Sequence, residues 1–232
     1  MNLSNLFLAY TGIILLSITL LVSLNMKALY AVETPAEREA LLTSELSRLS
    51  VPGANFRGNE SAKITIVEFG DYQCTFCKRF HANVLDMIIH DFVNTGKVRF
   101  LFKDFPINDL PPSNSSTVAS MASYCAADQG KYWEYHDQLY ENSRGENTGW
   151  INQNSLIDFA KGAGIGNITE FSECAISQKY SSIIKKNYDL AQSLALTATP
   201  SFVLLAEGKD PLVIVGSQPF HIFDYLIINK MS

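Results

Sequence analysis

The sequence has no basic block and no stripe of alternating basic and aromatic residues. With 18 Lys and Arg against 23 Asp and Glu, its formal net charge is −5, which argues against nucleic acid as a partner. Cysteine is scarce: four in 232 residues are too few for a small disulfide-built scaffold. Only Cys74 and Cys77 lie close together, and the paired spacing of a zinc knuckle is missing. Cys125, Cys174, His81, His90 or His136 would have to complete any metal site around them, so no metal is expected. No internal repeat or low-complexity tract is present.

What is there is apolar. Hydrophobic residues make up 47% of the chain and charged residues 18%, enough for a sizeable core. Leu6 to Leu24 carries no charge. At ~1.5 Å per residue this run approaches the ~30 Å thickness of a bilayer interior. It also exceeds the roughly 7–15 residues of a signal-peptide core. Residues 1–27 are therefore expected to be a membrane anchor, with a cleaved signal and secretion as the alternative. The first cation, Lys27, lies beyond the run, so charge alone does not orient it.

Thr34-Pro35-Ala36-Glu37 carries a capping signal, with a Thr cap, Pro at the first helical position and Glu to close the box. A helix to about Leu49 is expected within a linker, residues 28–54. Lys63 to Phe69 (KITIVEF) reads as a buried strand and Val98 to Phe102 (VRFLF) as a second. Between them Phe80, Val84, Ile88 and Phe92 recur at helical spacing over 75–94. Strand, helix, strand implies a parallel crossover. Helices are expected at 115–128, 131–142, 153–163 and 178–194. Two strands, 201–206 and 212–215, then flank a Glu207-Gly208-Lys209-Asp210 turn, and a helix over about 220–228 closes the chain.

A lone C-x-x-C serves zinc and redox sites alike, but here it follows a hydrophobic strand and opens an amphipathic helix. A cysteine at a helix start meets unpaired N–H groups and the positive end of the helix dipole, which favour thiolate. Thiolate is the attacking species in disulfide exchange. Cys74 is thus the expected nucleophile, with Cys77 one turn inward as its resolving partner. Glu68 is the one charge in a strand expected to be buried on both faces. It could exchange protons with Cys77, or its side chain could reach water at the strand end. His81, four residues past Cys77, could point back toward the site, but a solvent-facing position is the expected one.

Four segments in order resemble the DsbA-like thiol–disulfide oxidoreductases. They are 56–80 (FRGNESAKITIVEFGDYQCTFCKRF), 98–106 (VRFLFKDFP), 130–137 (GKYWEYHD) and 197–202 (TATPSF). The resemblance implies an α/β thioredoxin fold over 55–232, with a helical insertion at about 113–195. It implies a cis Pro200 facing the cysteines, with the Thr199 backbone pairing with an extended client. It makes Glu68 the buried acid beneath the centre. It also implies no cofactor. The Thr75-Phe76 interior departs from the Pro-His of strongly oxidising members and points to a weaker oxidant.

Four cysteines allow three connectivities. Joining Cys74 or Cys77 to a distant partner would consume the exchange centre, so Cys125 with Cys174 is the economical structural pair. Such a bridge implies an oxidising compartment. Two separate thiols, or a pair exchanging with Cys74 and Cys77, remain open. The reading that follows is a dithiol oxidase tethered outside the cytoplasm. It would act on cysteine-containing client proteins, with a quinone-linked membrane protein to reoxidise it. A reductase or isomerase, and a chaperone-like client-binding module without turnover, are the alternatives.

Overall fold

The computed structural model describes residues 34–48 and 56–231. In chain order the elements are α1 (Pro35–Arg48), β1 (Arg57–Gly58), β2 (Ile64–Gly70), α2 (75–93), β3 (Val98–Asp104), α3 (Ser115–Ala127), α4 (Tyr132–Glu141) and α5 (Gln153–Gly162). They continue with α6 (Ile168–Ser177), α7 (Ser181–Ser193), β4 (Ser201–Ala206), β5 (Leu212–Val215) and α8 (Phe220–Met231). The expected anchor, residues 1–27, lies outside the described residues. Among those described, no helix is long and apolar enough to cross a membrane.

One sheet runs β1-β3-β2-β4-β5. β2 and β3 are parallel, joined by α2, while β4 returns antiparallel to β2 and pairs with β5 as the expected hairpin. β2 is buried along its whole length, which is why it reads as a continuous apolar run rather than an alternating one. Its two faces serve different layers. Ile64 and Ile66 pack with Val84, Ile88 and Phe92 of α2 and Phe223 and Ile227 of α8. Val67 and Phe69 pack with Leu42 of α1 and Ala191 of α7. The Thr34 cap forms as its sequence implies: its hydroxyl accepts from Glu37 N at 3.3 Å while its own N donates to Glu37 Oε2 at 3.1 Å.

Three features differ from the sequence expectation. α6 is additional, begun by Asn167, whose side chain accepts from Glu170 N at 3.1 Å. β1 is a two-residue edge strand, too short to leave a periodic signal. And α2 is not uniform: it widens to π-helical turns at His81–Leu85 and Ile89–Val93. The helices between β3 and β4 carry a further core, which closes over the C-terminal ends of β2 and β3 and includes Tyr72, Cys74, Cys77, Phe102 and Tyr140. That placement sets the site at the carboxyl end of a parallel strand pair, under a helical cover.

Candidate active site

The chain leaves β2 at Gly70 and turns through Asp71-Tyr72-Gln73 into α2. A Cβ on Gly70 would lie 2.4 Å from a ring carbon of Phe102, so only glycine lets the strand end pass this ring. Asp71 holds the turn: Oδ1 accepts from Gln73 N and Oδ2 from Asn108 N, both at 2.8 Å. Burial pushes the Asp71 carboxyl up to about 6 despite these bonds. Gln73 is itself buried, donating to Ser116 Oγ at 2.8 Å and accepting from Asn147 N at 2.9 Å.

Cys74 caps α2 in extended geometry with no side-chain cap bond, and both Cys74 and Cys77 are free thiols. Cys74 is 4% exposed and Cys77 fully buried. The Cys74 thiol lies 3.3 Å from the Thr199 carbonyl oxygen, to which it donates. The Thr199–Pro200 peptide bond is cis. The Pro200 carbonyl is engaged by Gly216 N at 2.7 Å, which ties the loop to the end of the β5 strand.

The two sulfurs are electrostatically unlike. Cys74 is lowered to about 7, first by the Cys77 thiol as hydrogen-bond donor. Burial opposes this, and Thr199 and the N–H groups of Cys77 and Phe76 reinforce it. Cys77 is pushed well above the ordinary thiol range, first by burial, then by its bond to Cys74 and by the charge of Glu68. One sulfur is therefore half ionised near neutral pH and the other is held as a thiol. Thr75 and Phe76, the residues between them, are exposed, and the Arg79 guanidinium stacks 4.5 Å from the Phe76 ring.

Beneath the pair, Glu68 is fully buried between its sheet partners Phe102 and Phe202. It does not reach water at the strand end. His81 corrects the sequence expectation: it is turned inward, with Nε2 3.3 Å from Glu68 Oε2. Four residues past the buried Cys77, it shares that inner helix face, and α4 covers it. Its ring stacks on Tyr140 at 3.9 Å and meets His136 at 4.7 Å. His136 bonds the Tyr72 hydroxyl through Nδ1 at 2.8 Å, and burial drives it well below the ordinary histidine range. Ligand atoms of His81, His136 and Asp137 lie within 4.8 Å of one another. Tyr72 engages His136 and Arg57 pairs with Asp137.

A loop absent from the sequence expectation covers the front of the site. Glu146 Oε1 accepts from Thr75 N at 3.2 Å, and Lys78 Nζ donates to the Ser143 carbonyl. Trp150 Nε1 braces the loop on Gly145 O at 2.9 Å. No motif marks Glu146, and only the tertiary fold brings it to Thr75. Away from the centre, Cys125 of α3 and Cys174 of α6 form a disulfide with a Cα–Cα distance of 5.8 Å. That bond removes both from any zinc site around Cys74 and Cys77.

A reactive thiol at a helix start, a buried second thiol and a cis-proline loop opposite them, on this sheet, define a thioredoxin-type exchange centre. The family model described as Thioredoxin matches residues 50–209, and the chain belongs to that family as a DsbA-like thiol–disulfide oxidoreductase. Among curated relatives it is similar to disulfide bond formation protein D of Bacillus subtilis, 30% identical over 66% of this chain and 68% of the relative. Among solved structures it is similar to oxidised BdbD from Bacillus subtilis, with TM-score 0.69, 26% identity, and 78% and 94% of the two chains covered. It shares its fold with Wolbachia pipientis alpha-DsbA1 at TM-score 0.67 and 23% identity, over 80% and 94% of the chains.

Proposed function

We propose that the chain passes disulfides to cysteine-containing client proteins outside the cytoplasm, as a dithiol oxidase of moderate strength. The observation that carries the exchange chemistry is Cys74 at the start of α2, 3.3 Å from the Thr199 carbonyl of the cis-Pro200 loop, with Cys77 buried one turn inward. In the oxidising direction a client thiolate attacks Cys74 Sγ of the Cys74–Cys77 disulfide, and Cys77 leaves. The client's second thiolate then attacks the mixed disulfide and releases Cys74, so two electrons move from client to enzyme. Glu68 exchanges the proton with Cys77. The Thr199 backbone and the cis Pro200 loop hold the client segment across from Cys74. The relatives' name, disulfide bond formation protein D, supports the oxidising direction for this chain. The Cys125–Cys174 disulfide supports an oxidising compartment, because such bonds persist there. Residues 1–27 would tether the domain to the membrane, where a quinone-linked protein would reoxidise it.

One observation favours a second reading, a reductase: a nucleophile near 7 matches thioredoxin (~7) rather than a strong oxidant such as DsbA (~3.5). Redox equilibration against glutathione separates the two. An oxidase should sit clearly above thioredoxin's roughly −270 mV, and a value at or below that refutes the oxidising assignment. Cys74→Ser should abolish catalysed oxidative refolding of a reduced substrate. Full activity in that variant would leave only a client-binding module.

A further inference from the structure

Exchange at Cys74 obliges the buried Cys77 to gain or lose a proton at every turnover, and Cys77 has no exposed surface. Glu68 is equally enclosed, and neither of its carboxylate oxygens has a hydrogen-bond partner. A buried carboxylate without a hydrogen bond is costly and calls for an explanation. Its Oε2 lies 3.3 Å from His81 Nε2, which is also buried and without a hydrogen-bond partner, so a small ring rotation brings the two into proton contact. On its other side His81 lines a cleft of about 270 Å³, together with Arg57, Lys78, Asp86 and Asp137. The cleft has a mixed polar and apolar lining and has room for water. His136, the other histidine in this cluster, is fully buried with Nδ1 bonded to Tyr72, so it offers no way out.

We propose that His81 is the proton conduit between solvent and Glu68, and through Glu68 serves Cys77. This rests on the disulfide-exchange reading above. As the client thiolate attacks Cys74 Sγ, the Cys74–Cys77 S–S bond breaks and the client–Cys74 bond forms. The electron pair leaves on Cys77, which takes a proton from Glu68. Glu68 is reprotonated by His81, and His81 by cleft water. The reverse step sends the proton outward. A thiol with a raised pKa is a poor leaving group, so delivery of the proton is where rate is gained. Among the described residues, the enclosure of Glu68 and the opening beyond His81 make this ring the route that reaches solvent.

The test uses the full-length reduced chain and excess oxidised glutathione, in two resolved steps. The first is attack by Cys74, giving the Cys74–glutathione mixed disulfide. The second is closure by Cys77, releasing glutathione. His81→Gln should leave the first step unchanged and slow the second about a hundredfold, the low end of proton-transfer catalysis. Free imidazole, admitted through the cleft, should restore part of the lost rate, which a packing defect would not allow. Glu68→Gln should slow the second step similarly, and the double variant should be no slower than the worse single one. His81→Asn serves as a second variant if glutamine disturbs the stack on Tyr140. An unchanged second step, equal slowing of both steps, or additive losses with no imidazole rescue would overturn the proposal. Failure of the parent chain to form any mixed disulfide would instead overturn the exchange reading itself.

Discussion

Cys77→Ala tests what sets the reactivity of Cys74. The largest cause of the lowered Cys74 pKa is the hydrogen bond from the Cys77 thiol, and alanine removes that donor while preserving the helix. Hydrogen bonds to charged groups contribute about 1.5–3 kcal/mol, equivalent to roughly 1–2 pKa units. The Cys74 midpoint, followed by thiolate absorbance, should therefore rise from about 7 to the range ~8–9. A rise of one unit cuts the thiolate fraction at pH 7 about fivefold, while intrinsic nucleophilicity grows roughly threefold on the ~0.4–0.5 Brønsted slope. Attack on a small aromatic disulfide should thus be only about twofold slower at pH 7 and about threefold faster at pH 10. The rate–pH curves of parent and variant must cross. An unchanged midpoint, or uniform slowing at every pH, would show that the helix start and Thr199 activate Cys74 without Cys77.

Three further outcomes follow from the geometry. Replacing both Cys125 and Cys174 by Ala opens a loop with sequence separation 49, and should lower the unfolding free energy in urea by up to ~4 kcal/mol, with the reactivity of Cys74 unchanged. Asp71 is raised to about 6 by burial, so its contribution to stability is greatest below the unfolded pKa and is lost as pH rises through the folded one. The stability of the parent relative to Asp71→Asn should therefore fall by at most about 3 kcal/mol between roughly pH 4 and 6, and stay level above that. Glu146→Gln removes a negative charge from the Thr75 N–H at the start of α2, and should lower the Cys74 midpoint by a few tenths of a unit, as a helix-terminal charge worth ~0.3–1 kcal/mol requires.

What was legible in the sequence is what local pattern encodes. β2 and β3 are apolar runs, α2 has helical spacing, and the Thr34 cap is a four-residue signal, so each forms within a residue or two of its expected span. The Cys74–Cys77 pair at a helix start and the cis bond at Pro200 were readable because their neighbours carry a family pattern along the chain. His81 was misread because four-residue spacing says which residues share a face but not which face is covered. Only the docking of α4, through Tyr140 and His136, turns that face into an interior. Glu146 and Asn147 were invisible for a related reason: they act at Thr75 and Gln73, 71 and 74 residues away in the chain. α6 could have been found from Asn167 and Glu170, but Phe171 is its one fully buried side chain, so its periodic signal is weak.

The interior of the tetrad should decide how strongly the centre oxidises, and neither Thr75 nor Phe76 presents a charge to the sulfurs. Thr75 is exposed and Phe76 is 52% exposed, its ring given to Arg79 rather than to either sulfur. Phe76→Lys would set beside Cys74 a cation that stays protonated well past neutral pH, without disturbing the core. An opposite charge nearby lowers a pKa by ~1–3 units, and at so exposed a position the low end applies. Moving Cys74 from about 7 down one unit stabilises the reduced form by about 1 kcal/mol at pH 7, which raises the reduction potential by ~20 mV. The sign and size depend on pH. At pH 5 both forms are mostly thiol and the difference should nearly vanish, while by pH 8 it should approach ~30 mV. Potentials of parent and variant, equilibrated with glutathione across this range, must therefore diverge as pH rises. A difference independent of pH would mean that the substitution acts on the disulfide itself and not through the Cys74 thiolate.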